Sequence, residues 1–413
     1  MKKVFTVISL MFLLFTSSNA QNELPQWVEE LNSLYSQINQ LRQQKNWDKV
    51  LNGMDKMQKM FYAQPESERE KHLGSKDIGS NFHYNYTCYS SLAGKTSQAL
   101  KAFEKYTEYF TSKKEEANLL LINTDTDLDP IRNHKRFIAC MEKIKPYGDY
   151  IQKLKDASAY QNGTAPEAIR FRYMAPNDSN LVFLRQHYKL DSIAGVGDEL
   201  SKIKNLLHWV HEVVPHDGSS NNPKIKNTHA IIELCKKENR GVNCRMMAQM
   251  LTEVYLAMGF KARYVTCIPR EFINDCHVIA TVYSCTLNKW VWVDPTFDAY
   301  VTDEKGTMLS ISEVRSRLRN GQELCLNDYA NWNHQNKQTK EDYLERYMAK
   351  NLYYLSCIEN NRYNAETWEK EYPNKHYILM PYKELSKEIE GIGNGYIRFA
   401  DEEWFWQSPY ENM

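Results

Sequence analysis

The sequence predicts an α+β protein with a helical N-terminal domain, a core in which one helix packs on an antiparallel sheet, and a mixed C-terminal extension. From Trp27 to about Lys155, apolar residues recur at the spacing of amphipathic helices. Residues 241–296 change from one helical stretch to short strands with alternating side chains, of which NKWVWVDPT is the clearest. Further strand-like runs follow residue 350, so helices and strands are segregated along the chain, as in α+β folds.

These patterns divide the chain into four segments. Residues 1–20 are a predicted signal peptide, 21–156 a helical domain, 166–320 the core domain, and 321–413 an extension that packs on the core. The polar run ASAYQNGTAP at 157–166, with its Gly and Pro, is the predicted linker between the second and third segments.

The N-terminus has the features of an export signal. Lys2 and Lys3 precede an apolar run from Val4 to Phe15 that is too short to span a bilayer, and small residues up to Ala20 suit cleavage. No later run reaches membrane length. We therefore expect export to a periplasm or to the cell exterior, a mature protein that is soluble, and no transmembrane segment.

Charge and cysteine content exclude several classes of function. The 52 basic and 52 acidic residues balance, so no nucleic-acid partner is expected. The nine cysteines show no zinc-finger spacing, and most lie in apolar patterns that predict buried thiols. The run Asp125-x-Asp127-x-Asp129 resembles the start of a calcium loop, but Pro130 and Arg136 stand where Gly and Glu are needed. We expect no cofactor and no metal.

One helical hairpin is clear in the N-terminal domain. Apolar residues on both sides of Gly94-Lys95 have helical spacing, and small Ala93, Gly94 and Ala99 are expected to let the helices approach closely. The unit resembles a tetratricopeptide repeat, although such arrays usually need about three repeats. This resemblance leaves two interpretations open: the helical domain forms a groove for a protein partner, or it is a helical cap that packs on the core domain at 166–320.

Three reactive side chains occur in order in the core, each on a different predicted element. Cys244 begins a helix, whose N-terminus stabilises a thiolate, His277 lies near the start of a strand, and Asp294 ends another. Strand alternation places His277 and Ile279 on one face, and Trp290, Trp292 and Asp294 on one face of the next strand. If the Cys244 helix packs on the His277 face, the three groups converge for nucleophilic catalysis.

Around these residues the chain resembles the transglutaminase-like superfamily, relatives of the papain-like thiol enzymes. The resemblance runs from about Leu200 to Tyr300 and rests on Cys244 at a helix start, Trp209 upstream, and the stretches Gly259-Phe260-Lys261-Ala262-Arg263, His277-Val278 and Asp294-Pro295-Thr296. It implies a papain/transglutaminase-like core in which Cys244 is the nucleophile, His277 the general base and then acid, and Asp294 the residue that orients the imidazole. The chain departs from the family pattern at Gly241, which is three residues before the cysteine, at Arg245, and at Ile279.

The resemblance also directs the functional prediction. Trp209, His216, Arg245 and Trp292 are the candidates for lining a substrate cleft. Because Arg245 and Ile279 stand where crosslinking relatives have aromatic residues, we expect hydrolysis of a peptide or protein amide rather than crosslinking.

Two alternatives remain. One is a non-catalytic interaction or scaffold protein that uses the helical domain and a degenerate core. The other is a metal hydrolase, which rests only on scattered histidines such as His208 and His211; for these two residues, surface or packing roles are favoured.

Overall fold

The computed structural model describes residues 24–113, 116–165, 170–271, 275–367, 371–393 and 395–410. The predicted signal peptide lies outside the described residues. In the described ranges, no helix is both long enough and apolar enough to cross a bilayer. Contacts between residues divide the chain into two compact units, 1–149 and 150–413. The helix at 150–156, which the sequence analysis assigns to the helical domain, packs with the second unit.

The first unit is helical, as the apolar periodicity predicts. Its α-helices are α1 (Gln26–Gln43), α2 (Trp47–Tyr62), α3 (Glu66–Leu73), α4 (Gly79–Leu92), α5 (Thr96–Lys113), α6 (Leu119–Thr124), α7 (Asp129–Arg132) and α8 (Lys135–Ile144). Gly94 lies in the turn between α4 and α5 with a φ of 69°, and a Cβ added to it would meet open space. Its role is therefore the left-handed turn and not close approach. Close approach occurs at Gly53 of α2, where a Cβ would lie 2.8 Å from Ile38.

The second unit contains both helices and strands. Its helices are α9 (Tyr150–Asp156), α10 (Ser179–His187), α11 (Leu190–Ala194), α12 (Glu199–Val213), α13 (Thr228–Glu238), α14 (Cys244–Ala257), α15 (Ile311–Asn320), α16 (Ala349–Asn351) and α17 (Glu402–Phe405). Its strands are β1 (Arg172–Tyr173), β2 (Ala262–Ile268), β3 (His277–Ser284), β4 (Lys289–Val293), β5 (Val301–Thr302), β6 (Cys325–Leu326), β7 (Asn331–Trp332), β8 (Asn336–Lys337), β9 (Tyr354–Ile358), β10 (Asn360–Asn361), β11 (His376–Leu379) and β12 (Tyr396–Phe399). A π-helix at Lys340–Met348 precedes α16.

A six-stranded sheet organises this unit, in the order β12-β11-β9-β2-β3-β4. All neighbouring pairs are antiparallel except β11 and β12, which are parallel. The fold class is α+β, as predicted. The C-terminal extension contributes three of the six strands, so it is part of the same sheet as β2, β3 and β4.

The two faces of the sheet are covered by different helices. The nucleophile helix α14 packs on the face formed by Ala262, Ala280 and Val282, together with Val291 and Val293. The other face, which carries Ile279 and Trp292, is covered by α9, α15 and the π-helix. The expectation that α14 packs on the His277 face is therefore wrong. Both faces are apolar, so strand alternation alone does not identify the face that receives the helix.

The C-terminal aromatic cluster closes around a buried arginine. Arg263 of β2 is fully buried, and its Nη2 donates to the Phe405 carbonyl at 2.6 Å. Its guanidinium lies 4.4 to 5.0 Å from the centroids of four rings, those of Phe171, Trp290, Phe405 and Trp406. Cation–π attraction from several rings compensates for the lost hydration of a buried guanidinium. The motif arginine therefore fixes the end of the chain to the central strand.

We expect Arg263→Lys to lower the free energy of unfolding by about 2–3 kcal/mol, because an ammonium cannot stack on several rings as a planar guanidinium does. Arg270→Lys is the matched control: Arg270 faces one ring, Tyr353, at 5.6 Å and its side chain is 43% exposed. That change should cost within about 0.5 kcal/mol. Urea denaturation of both variants measures the difference, and equal losses would contradict the special role of Arg263.

Candidate active site

The Cys244 thiol lies at the N-terminus of α14, as the sequence predicts. Asn243 caps the helix, and its side chain accepts a hydrogen bond from the Met246 N–H. The first N–H groups of a helix lack intrahelical acceptors, so this end of α14 favours negative charge. Cys244 is partly exposed, and all nine cysteines of the chain are free thiols.

His277 and Asp294 meet on the opposite face of the sheet. The Nε2 atom of His277 lies 2.7 Å from Oδ2 of Asp294, and both side chains are buried. The predicted alternation is confirmed: Thr281 pairs with Trp292 across the strands, which places Asp294 diagonally from His277 on one face. Asp294 is further held by the Thr296 N–H, which donates to Oδ1 at 3.0 Å.

The thiol and the imidazole meet at the end of strand β3. His277 is the first residue of β3, and its ring lies close enough to the Cys244 side chain for each group to shift the pKa of the other. Because Nε2 is bound to Asp294, the nitrogen that faces the sulfur is Nδ1. Val278, whose side chain lies on the face that α14 covers, also lowers the pKa of the thiol through its backbone N–H. Cys244 and His277 therefore approach from opposite faces and meet around the end of the strand.

Two tyrosines of the π-helix support the histidine and the aspartate. The Tyr343 hydroxyl donates to Oδ2 of Asp294 at 2.6 Å and accepts from the Trp292 indole N–H at 3.1 Å. The Tyr347 ring centroid lies 5.2 Å from that of His277. A π-helix closes its hydrogen bonds between residues five apart, so its wide turn brings residues four apart nearly into line. This geometry lets both tyrosines face the pair at once.

A second histidine lies near the sulfur. His216 lowers the pKa of the Cys244 thiol, and its own Nδ1 accepts the Trp332 indole N–H at 3.0 Å. An indole nitrogen can only donate, so Nδ1 carries no proton and Nε2–H is the ring group of His216 that can donate to the sulfur. Asn333 clamps the His216 backbone, accepting its N–H and donating to its carbonyl, both at 2.8 Å.

Close backbone contact brings His216 to the nucleophile. The segment at 215–217 runs parallel to the residues just before α14, and His216 forms a β-bridge with Val242. A Cβ at Gly241 would lie 2.5 Å from the Pro215 carbonyl oxygen and 2.9 Å from Asp217. Gly241 is therefore required for this approach, which explains a glycine at this position in steric terms.

The contacts around the sulfur shift the pKa values of Cys244 and His277. Burial alone raises the pKa of the Cys244 thiol, but the hydrogen bonds from His216, His277 and Val278 and the positive charge of His277 outweigh it and lower the pKa to about 5. Burial lowers the pKa of His277, whereas the charge and hydrogen bond of Asp294 and the contact with Cys244 raise it to about 10. Near neutral pH the pair is a thiolate and an imidazolium.

Comparison with known proteins identifies one domain within the chain. The family model of the transglutaminase-like superfamily matches residues 186–295. These residues form a transglutaminase-like domain. No curated protein matches the chain. A crystal structure from Cytophaga hutchinsonii, described as that of a candidate cysteine protease, is 17% identical to the chain with a TM-score of 0.22. It covers 31% of this chain, which spans 46% of its length, and a TM-score this low supports no argument.

The four predicted cleft residues of the transglutaminase-like domain have different positions. His216 contacts the thiol, as described. Trp209 packs 5.4 Å from Tyr188 in the core under α10, and not at the thiol. Trp292 is completely buried behind Asp294, because strand alternation places it on the face that the π-helix covers. Because it is completely buried, Trp292 does not line a cleft.

The fourth predicted residue, Arg245, lies beside the thiol but does not point to solvent. Its guanidinium is 3.4 Å from the Glu366 carboxylate and 3.3 Å from the Thr266 hydroxyl. Tyr264 also donates to Glu366, at 2.6 Å. The arginine is therefore held by the C-terminal part of the chain.

Sequence reasoning missed the support that lies beyond the transglutaminase-like domain. Tyr343, Tyr347, Trp332 and Asn333 have no motif, and a helix or hairpin in the extension gives no signal of where it packs. The four-residue spacing of Tyr343 and Tyr347 places both on one face of a helix, but it does not show what that face packs against.

The pKa of Cys244 predicts unusual reactivity at low pH. Iodoacetamide alkylation of Cys244 should be half-maximal near pH 5, because a lowered pKa preserves the thiolate down to that pH, whereas an ordinary thiol changes near pH 8.5. Peptide mapping by mass spectrometry reports each cysteine separately.

Cys276 is the internal control for this experiment, since burial raises its pKa. It should remain unmodified at pH 6 while Cys244 reacts. His277→Ala should move the Cys244 midpoint upward by removing the positive charge. An unchanged midpoint in that variant would show that His277 does not stabilise the thiolate.

Proposed function

We propose that the protein is an exported thiol enzyme that hydrolyses amide bonds of a peptide or protein through Cys244, His277 and Asp294. The observation that carries this proposal is the buried His277–Asp294 pair, with 2.7 Å between Nε2 and Oδ2, beside a thiol at a helix start whose pKa is lowered by His216, His277 and the Val278 N–H. A structural thiol needs no such surroundings, and a nucleophile at neutral pH does. Export rests on the sequence of residues 1–20.

In the proposed acylation step, the Cys244 thiolate attacks the carbonyl carbon and forms a C–S bond, while the π electrons move to the oxygen. As the intermediate collapses, the C–N bond breaks and His277 gives its Nδ1 proton to the leaving amine. The product is a thioester with a neutral His277. Asp294 stays hydrogen-bonded to Nε2 throughout and holds the ring in orientation.

In the proposed deacylation step, Nδ1 of His277 accepts a proton from water as the water attacks the thioester. The C–S bond then breaks, the acid leaves, and the thiolate–imidazolium pair is restored. The oxyanion of both intermediates needs donors, and the chain offers two beside the sulfur: the Cys244 backbone N–H at the start of α14 and Nε2–H of His216. A donor that faces the thiolate at rest can face the oxyanion once the sulfur is bonded.

We favour hydrolysis over amine transfer because a crosslinker must shield the thioester from water. An apolar tunnel could have been lined by Trp209 and Trp292. However, Trp209 packs against Tyr188, and Trp292 donates a hydrogen bond to Tyr343. The neighbour of the nucleophile is Arg245, a charged group paired with Glu366. A scaffold protein with an inactive domain is the second candidate, but a lowered thiol pKa favours the enzyme.

His216→Ala should lower kcat by about 10²- to 10³-fold with little change in KM, because an oxyanion donor acts in the transition state. His216→Gln should lose less, since its amide N–H₂ can also donate. Steady-state kinetics on one peptide substrate measures both. A rise in KM at constant kcat in both variants would assign His216 to substrate binding instead.

Hydrolysis and transfer can be compared in one reaction that contains a glutamine peptide and a fluorescent primary amine. We expect carboxylate product to form faster than amine conjugate. Cys244→Ala, which removes only a sulfur atom at a helix start, should lower both by at least about 10³-fold while thermal unfolding stays unchanged. Conjugate forming faster than acid, and depending on Cys244, would reverse the assignment to hydrolysis.

A further inference from the structure

A second cluster of ligating groups lies outside the thiol site. His211 and Glu212 are near the C-terminal end of α12, and His334 is in the turn between β7 and β8. One ligand atom from each, a ring nitrogen or a carboxylate oxygen, lies within 4.8 Å of the other two. Nε2 of His334 is 3.0 Å from Oε1 of Glu212. Two imidazoles and one carboxylate are a ligand set that zinc uses in proteins.

The orientation of His211 points to a ligand. Its side chain is only 4% exposed, and its Nδ1 lies 3.0 Å from the Pro295 carbonyl oxygen. A carbonyl only accepts, so Nδ1 carries the proton and Nε2 presents its lone pair. Metal-binding histidines characteristically donate their second ring nitrogen to a carbonyl or carboxylate in this way.

The polar atom next to the Nε2 lone pair of His211 cannot donate a hydrogen bond to it. Nε2 of His211 lies 3.2 Å from Oδ1 of Asn331, which is itself an acceptor. Asn331 is held in this orientation because its Nδ2 donates to the Tyr329 carbonyl at 3.1 Å and its Oδ1 accepts the His334 N–H at 2.6 Å. Two acceptors therefore face each other in a buried position, unless a cation or an additional proton lies there.

We propose that His211, Glu212 and His334 bind one transition-metal ion of the zinc class, with the remaining coordination position taken by water. The ligands come from two elements that are distant in sequence, so the ion would join the β7–β8 hairpin to α12. His334 lies in the turn of this hairpin with a φ of 58°, next to Asn333 with a φ of 49°. This two-residue left-handed turn projects the His334 imidazole toward Glu212.

The hairpin is also the element that holds His216. Trp332 and Asn333 contact the His216 ring and backbone, and His334 is the next residue along the chain. An ion on His334 would therefore restrain the donor that faces the Cys244 sulfur. This consequence rests on the proposed function, whereas metal binding itself does not.

The binding test uses the full-length Cys244→Ala chain, so that the catalytic thiolate cannot bind metal. After chelation and removal of the chelator, zinc chloride is titrated by isothermal titration calorimetry. We expect a site that Cys244→Ala/His334→Ala weakens by at least about 100-fold, since a lost ligand costs at least as much as a lost second-shell partner. His334 is exposed, so the change should leave the fold intact.

The matched control is Cys244→Ala/His208→Ala. His208 is on the same helix with a 57% exposed side chain, and it pairs with Asp298 instead. It should bind zinc like its parent. Cobalt(II) bound to the Cys244→Ala chain should show d–d absorption without a sulfur charge-transfer band, which distinguishes this site from the group Cys88, Asp125 and Asp127.

Two results would overturn the proposal. One is equal zinc affinity with and without His334, and the other is no heat of binding at sub-millimolar zinc in the Cys244→Ala chain. The second result would mean that no cation lies between Nε2 of His211 and Oδ1 of Asn331. Zinc should also slow hydrogen exchange in residues 331–337, and should not do so when His334 is alanine. Binding without slower exchange would separate the metal site from the thiol chemistry.

Discussion

A partly buried sulfur anion is stable only where donors and a positive charge lie close to it, and the second unit of this protein meets that requirement at Cys244. The helix end supplies a positive dipole, the start of β3 supplies an imidazolium and a backbone N–H, and the loop before α13 supplies a second imidazole. Apart from the helix end, none of these groups is adjacent to the cysteine in sequence. The sheet satisfies the requirement because a residue at the end of a strand is accessible from both faces.

The transglutaminase-like domain contains the three residues of the proposed triad, and the extension contacts them and their neighbours. Tyr343 and Tyr347 fix the aspartate and the imidazole, Trp332 orients His216, and Glu366 holds Arg245. Buried Glu253 of α14 accepts the backbone N–H of Asn364 at 2.7 Å, which ties the nucleophile helix to the same part of the chain. Residues 186–295 alone would therefore leave the aspartate, the second histidine and the helix without their partners. The catalytic unit extends at least to the strands that complete the sheet.

The sequence predicted the reacting groups better than their surroundings, and the reason is physical. Cys244 at a helix start and the shared face of His277 and Asp294 follow from local periodicity, and both are confirmed. The face that receives α14 does not follow, because Val278 and Ile279 make both sides of β3 apolar. Trp292 was wrongly predicted to line a cleft for a related reason. Strand alternation predicts the face of the sheet on which its side chain lies, but the π-helix that buries this side chain comes about fifty residues later in the chain. Contacts of this range leave no periodic signal, so Trp332 and Tyr343 could not be found.

The two histidines at the sulfur differ in what their other nitrogen contacts, and this difference separates their roles. His277 faces a carboxylate through Nε2, and a carboxylate stabilises the ring whenever Nδ1 is protonated. His216 faces an indole N–H through Nδ1, and an indole can only donate, so a proton on that nitrogen would break the bond. The first arrangement allows a proton to be taken up and returned at the sulfur. The second keeps one N–H directed at the site through the whole cycle. One histidine is thus suited to move the proton and the other to stabilise negative charge, first on sulfur and then on oxygen.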